Sequence, residues 1–250
     1  MPFEPIARRT VSEDAYDQIL DGMLSGDLAA GQTLPSEREL SRLLGVSRPA
    51  VREALTRVAA AGLITVRHGE GTRIRDLATA GGLDLLPRLL VRDGSVVPDV
   101  ARSVVEARAE IGPVVAGLAA RRATDEDVER IRATVDGLTA ELDPIAQQVA
   151  ALEFWSRIID GAHSIAFRLM YNSLRAAYEP ALDALAAVLE PEVGNAAGYR
   201  AVLDAVADHD PDSARVAAGD LLQPATTTLL GLFDAMTATE PQPEPQPGPE

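Results

Sequence analysis

Two helix-start signals stand eleven residues apart in this chain, and almost nothing separates the helices they open. Ser36-Glu37-Arg38-Glu39 has the S-x-x-E form of a capping box. In such a box the serine oxygen accepts from an early helix amide and the glutamate reaches back to the cap amide. Leu40, Leu43 and Leu44 give the first helix its apolar face, and Gly45 can close it. Ser47 then caps the next helix, where Pro49 is tolerated because first-turn amides lack intrahelical acceptors. Val51, Ala54, Leu55 and Val58 face inward, and Gly62 ends the helix.

The flanking segments complete a unit. Residues 11–24 read as a helix with Ala15, Ile19, Leu20 and Met23 on one stripe and Gly26 at its end, and residues 27–35 read as a Gly/Pro-punctuated connection. After Gly62, the β-rich runs Leu63–Arg67 and Thr72–Arg75 enclose the turn His68-Gly69-Glu70-Gly71, which predicts a hairpin. Helix, helix, short turn, helix, hairpin over residues 1–76 is the order of a winged helix-turn-helix, whose second paired helix enters the major groove by its N-terminal end. Arg48 and Arg52, at i and i+4, share one side of that helix and flank its apolar stripe. From its first turns they can reach phosphates and guanine edges.

Charge supports a local contact. The formal net charge is −15, and all 23 basic residues are arginine. Residues 34–75 carry eight arginines against four acids, whereas residues 77–250 carry 13 arginines against 27 acids. A small cationic segment therefore sits on a body that repels DNA, so any DNA contact must be local and oriented.

Beyond residue 76 the pattern changes. Residues 77–83 read as a linker; 84–238 show helical periodicity with no convincing strand; 239–250 form a Pro-rich acidic tail, expected to be extended or disordered. Helices are expected over 83–91, 96–121, 125–140, 144–162, 165–189, 195–208 and 212–237, in the short-loop succession of a bundle. The fold class is thus mainly α, with a β-hairpin wing on the N-terminal domain and an all-α C-terminal domain. There is no cysteine, which excludes disulfides, thiolate metal sites and cysteine nucleophiles. No signal peptide is read at the N-terminus, and no apolar run approaches the ~20 residues of a membrane span. The expectation is a cytoplasmic protein with no membrane contact.

The stretch L-P-S-E-R-E-L-S-R-L-L-G-V-S-R-P-A-V-R-E-A-L-T-R-V-A-A-A-G-L-I-T-V-R-H-G-E-G-T, Leu34 to Thr72, closely resembles the GntR family of bacterial transcription regulators. With the preceding helix the match covers about 65 residues. The helical remainder resembles the FadR subfamily, whose C-terminal domain binds an effector. The resemblance implies DNA contacts by Arg38, Arg48 and Arg52, a base-edge position at Ala50, and phosphate contacts at Ser36 and Ser47. His68 and Gly69 match the wing tip that enters the minor groove, where Glu70 departs from the basic or neutral residue that suits DNA. A homodimer on a double-stranded operator is implied, since paired recognition helices read two half-sites.

Many members of the subfamily hold a metal through an aspartate and three histidines. The matching positions here are Ala151, Trp155, a site near Tyr199 and one near Leu221, so neither a metal nor any other cofactor is expected. The stretches G-G-L-D-L-L-P-R-L-L and V-V-E-A-R resemble the metal-free branch that includes the fatty acyl-CoA-responsive regulator. That makes a fatty acyl-CoA or related apolar acid the expected effector, with a small carboxylate such as a sugar acid or hydroxy acid as the alternative. Independently of the resemblance, Val97, Ala101, Val104, Arg108, Ile111, Val115 and Leu118 form one seam, and Arg108 interrupts it with a permanent charge. A guanidinium placed there calls for an anion, either a ligand or an internal acid such as Glu153 or Asp160. Arg108, Trp155 and Tyr199 are the candidate effector-binding residues, with core packing as the plainer alternative for Trp155 and Tyr199. An enzyme is a remote alternative, for no nucleophile, metal set or Ser-His-Asp cluster is legible.

Overall fold

The computed structural model describes residues 10–67, 71–92 and 95–239. The chain divides into two compact units, with the break between Leu85 and Leu86.

In the first unit, α1 (Val11–Ser25) opens with a complete capping box, Thr10 accepting from the Glu13 amide while Glu13 accepts from the Thr10 amide. It ends at Gly26 in the left-handed region. Its predicted stripe of Ala15, Ile19, Leu20 and Met23 is buried throughout. A two-residue strand, β1 (Thr33–Leu34), precedes α2 (Glu37–Leu44) and α3 (Arg48–Ala60). The wing strands β2 (Ile64–Arg67) and β3 (Gly71–Ile74) pair antiparallel from Ile64↔Ile74 to Arg67↔Gly71. β1 adds to the far edge of β3, giving the order β1-β3-β2. β1 lies in the segment expected to be plain connection; two residues are too few for alternation to be visible. The segment expected as linker carries a single helical turn, α4 (Leu77–Ala80), capped by Asp76, and then a 3-10 turn at Leu83–Leu85.

The second unit opens with α5 (Leu86–Leu90) and a small hairpin, β4 (Val91–Arg92) with β5 (Ser95–Val96). This corrects the expectation of a strand-free region, again through strands too short to leave a pattern. Seven helices of at least 12 residues follow among the described residues: α6 (Pro98–Arg122), α7 (Asp125–Ala140), α8 (Pro144–Gly161), α9 (Ile165–Tyr178), α10 (Leu182–Val193), α11 (Ala196–Ala207) and α12 (Pro211–Thr239). The single helix expected over 165–189 is divided by a 3-10 turn at Glu179–Ala181. Pro180 lacks the amide that would continue the ladder, and its ring crowds the carbonyl four residues earlier. α6 and α12 pack along much of their lengths, and α8, α10 and α11 close around them. The core centres on Phe154, Ile131, Ile158, Tyr199 and Leu222, each nearly or wholly removed from solvent. Each such side chain contributes roughly 1.5–3 kcal/mol of transfer free energy. Among the described residues no helix is long and apolar enough to cross a membrane.

Candidate nucleic-acid interface and effector cavity

The turn between α2 and α3 is built from backbone outward. Gly45 takes φ +66, a conformation that strains a residue with a Cβ, and its amide donates to the Ser41 carbonyl. The Val46 amide also donates to Ser41 O at 3.1 Å, and Ser41 Oγ donates to Val46 O at 2.5 Å. Ser36 Oγ accepts from the Glu39 amide at 3.3 Å and Ser47 Oγ accepts from the Ala50 amide at 3.4 Å, so each cap serine holds the first turn of its helix. The reciprocal arm expected of Glu39 is formed at α1 instead, between Glu13 and Thr10. Val51, Ala54 and Val58 bury one face of α3, while Leu55 is half-buried. Leu43, expected in the buried face of α2, is 59% exposed. It lies about 100° around the helix from Leu44, and an eight-residue helix turns only one narrow stripe inward.

On the outward side Ser36, Arg38, Ser47, Arg48 and Arg52 are exposed and Ala50 is half-buried. Among the described residues Arg38 and Arg48 make no ion pair. Arg52 does: its Nε and Nη2 donate to the two carboxylate oxygens of Glu37 at 3.1 and 2.9 Å, a bidentate clasp from α3 to the start of α2. Glu37 also feels the charge of Arg48, and the hydrogen bond from Arg52 holds its carboxyl below the usual carboxylate range. Sequence reading assigned Glu37 only to the cap motif. Its position fifteen residues before Arg52 gave no periodic signal, because the contact crosses a turn. Arg57, on the same helix, stacks over the Tyr16 ring at 4.4 Å and ties α3 to α1. Arg75 Nη1 donates to Gly62 O at 2.8 Å and ties the wing to the end of α3. His68 and Gly69, together with Glu70, lie outside the described residues.

The second unit encloses a cavity of about 230 Å³ with walls that are almost all hydrocarbon. Ala101, Val104, Ile111 and Val115 of the predicted α6 seam line it, as do Trp155 and Arg108. The approach of α6 to its neighbours depends on Gly112: a Cβ there would stand 2.5 Å from Leu222 Cδ1 and 3.6 Å from Trp155 Cη2. Tyr199 is not among the lining residues. It is fully buried beside the cavity, edge-on to Phe154 with ring centroids 4.9 Å apart, and Phe154 is likewise edge-on to Trp155 at 5.5 Å.

Arg108 has its anion inside the protein. The partner is Glu192 of α10, through Nη2 and Oε1, rather than Glu153 or Asp160. Those two acids are engaged elsewhere: Glu153 with Arg157 and Arg175, Asp160 with Arg157 and Arg168. Glu192 lies 84 residues from Arg108, and no helical register links them, so the sequence alone could not name the pair. Glu192 is only 3% exposed in its side chain. Burial pushes its carboxyl up while Arg108 pulls it back, with the net direction upward. Burial likewise raises the Tyr178 and Tyr199 phenols. Tyr178 Oη donates to Gln148 Oε1, and Gln148 Nε2 donates to Leu182 O at 3.0 Å. Among the described residues four buried side-chain polar atoms have no partner: Arg108 Nη1, Glu192 Oε2, Trp155 Nε1 and Tyr199 Oη.

Residues 11–74 match the family of bacterial regulatory proteins named gntR, and residues 103–223 match the FCD domain. The HTH-type transcriptional regulator Mce2R of Mycobacterium tuberculosis is 47% identical over 233 residues, covering 93% of this chain and 97% of that one. The chain belongs to the GntR family. This GntR-family regulator combines a DNA-binding helix-turn-helix with an FCD effector domain, and its family and relatives are transcription regulators, not enzymes. It is also 31% identical to the putative L-lactate dehydrogenase operon regulatory protein of Escherichia coli, over 84% of this chain and 82% of that one. A fatty acid metabolism regulator protein of Vibrio vulnificus is 28% identical over 148 residues, covering 59% of this chain and 50% of that one. Ala151 and Trp155, which the resemblance sets against two metal-ligand positions, and Tyr199 and Leu221, near which it sets the other two, are all buried in one hydrophobic core. Methyl, indole and isobutyl groups give a metal no lone pair to bind, and the Tyr199 phenol, which burial keeps protonated, is a single oxygen, so this set does not fit one.

Proposed function

We propose that this regulator binds a double-stranded operator as a homodimer through the N-terminal turns of α3, and that an apolar effector seated in the α6–α10 cavity alters that binding. Arg48 and Arg52 supply the reading contacts, Arg38 and the hydroxyls and cap amides at Ser36 and Ser47 hold phosphates, and Ala50 faces a base edge. His68 and Gly69 belong to the proposed wing contact. The setting is the cytoplasm, where bacterial DNA lies.

The single observation that carries the effector reading is the cavity wall, hydrocarbon nearly throughout, with one neutralised ion pair set into it. A fatty acyl-CoA, through its acyl chain, or a related apolar acid suits such a wall, and Arg108 and Trp155 are the side chains it meets. Tyr199 supports the floor rather than the lining. The relationship to a lactate operon regulator favours a small carboxylate instead, but the several hydroxyls of a sugar acid would go unpaired against these walls, at about 1–3 kcal/mol each.

Two measurements test the reading. Gel shifts on an operator duplex selected from random sequence should show Arg48→Ala and Arg52→Ala each weakening binding with the fold intact. Calorimetry with dodecanoyl-coenzyme A against lactate and gluconate should show heat-capacity loss with the first only. Unchanged DNA affinity in both variants would remove the recognition-helix assignment; tight binding of lactate would remove the apolar effector.

A further inference from the structure

The Arg108–Glu192 pair in the cavity wall is incomplete in a specific way. One bond joins Nη2 to Oε1, while Nη1 and Oε2 are buried and have no partner. Arg108 and Glu192 both line the cavity, so its wall carries one donor and one acceptor without partners, and the charges behind them already cancel. An anion placed against this pair would meet the Glu192 carboxylate as closely as the Arg108 guanidinium, so attraction and repulsion largely offset and its desolvation goes uncompensated. A hydroxyl accepts from Nη1 and donates to Oε2. A protonated carboxylic acid does the same with its carbonyl and hydroxyl oxygens.

We propose that the head group docking on Arg108 and Glu192 is uncharged and both accepts and donates a hydrogen bond: an alcohol, or a carboxylic acid taken up with its proton. This rests on the reading of the cavity as the effector site. The groups around Glu192 agree with a neutral occupant. Arg108 comes from α6, Tyr171 and Tyr178 from α9 and Tyr199 from α11; α8 turns the neutral Gln148 toward this region. Arg108 is the charged group that acts on Glu192, and the other guanidinium in the lining, Arg175, is already held by Glu153 and Glu179, so its charge too is balanced before an anion arrives. Burial already pushes the Glu192 carboxyl upward, which eases sharing one proton with an acid head group. In that case binding of a carboxylate takes up one proton from solvent, held between the two carboxyl groups.

Decan-1-ol and decanoate share a chain length and differ in head group, and calorimetry at pH 6, 7 and 8 compares them on the unmodified protein. Decanol affinity should stay constant, while decanoate affinity should fall by about tenfold per pH unit as the neutral acid becomes scarcer. In Glu192→Gln the guanidinium loses its counter-charge: decanoate should bind more tightly than to the wild type at pH 8 and lose its pH dependence, with decanol changed little. Decanoate binding that is independent of pH in the wild type, and tighter than decanol, would overturn the proposal without touching the cavity reading. Failure of both probes to bind would instead remove the cavity as an apolar effector site, and the proposal with it.

Discussion

At the residue scale the reading head depends on how two arginines differ. Among the described residues Arg48 is exposed and makes no ion pair, whereas Arg52 is clasped by Glu37. We expect Arg48→Ala to weaken binding to a selected operator by about 1–3 kcal/mol, the range for loss of a bidentate base contact. Glu37→Gln should release Arg52 to phosphate, steepening the dependence of log affinity on log salt by about one. Anisotropy titrations at several salt concentrations read both effects; an unchanged slope in Glu37→Gln would mean that Arg52 stays bound to α2 on DNA. The placement of Arg48 and Arg52 on the exposed side of α3 was legible because their spacing and their place in the first turns of a capped helix are local facts. Glu37 and Glu192 were not legible as partners of Arg52 and Arg108, since an ion pair between separate helices leaves no periodicity in the chain.

At the scale of elements, capping and close packing make the testable claims. Asp127 is buried in the first turn of α7, where it accepts from the Thr124 amide at 3.0 Å, from Thr124 Oγ1 at 2.8 Å and from Arg130 at 3.0 Å, and meets His163 Nε2 at 2.9 Å. Burial pushes its carboxyl up, but the bonds from Thr124 and His163 prevail and hold it below the usual aspartate value. A depressed carboxyl contributes stability above its unfolded pKa and loses it as pH falls through the folded one. Asp127→Asn should therefore cost about 1.5–3 kcal/mol in urea melts at pH 7. The gap to wild type should close as the pH drops below the ordinary aspartate value of 3.8. Gly112→Ala brings a methyl to 2.5 Å from Leu222 Cδ1, and overpacking of this kind costs about 1–3 kcal/mol, read as a lower Tm. Long helices with clear stripes, such as α1, α6 and α11, were legible to within a few residues. The two-residue strands β1, β4 and β5 and the break at Pro180 were not, because too few residues carry the pattern or because one proline had to be weighed against a long apolar run.

At the scale of the molecule, a winged helix-turn-helix with a cationic segment over residues 34–75 is joined in one chain to an anionic helical domain with an apolar cavity. Coupling between them requires that a ligand bind the DNA-competent and DNA-incompetent states with different affinity, typically by 1–3 kcal/mol. The proposed homodimer should sediment as a single species of twice the 26.4 kDa chain mass at micromolar concentration, and a monomer would leave two half-sites unread. The absence of metal-ligand histidines from the core was legible residue by residue, and the α6 seam foretold most of one cavity wall. What closes the opposite wall, α9 and α10 with Tyr178 and Glu192, depends on how the helices meet and could only be found in three dimensions.

The most direct test of the central claim is the affinity for a selected operator duplex, measured by fluorescence anisotropy at pH 6 with and without saturating dodecanoyl-coenzyme A or decanoate. The expected result is a change in Kd of at least about fivefold with one of these ligands in the wild type. A ligand shown by calorimetry to occupy the wild-type protein while leaving operator Kd unchanged would contradict the account.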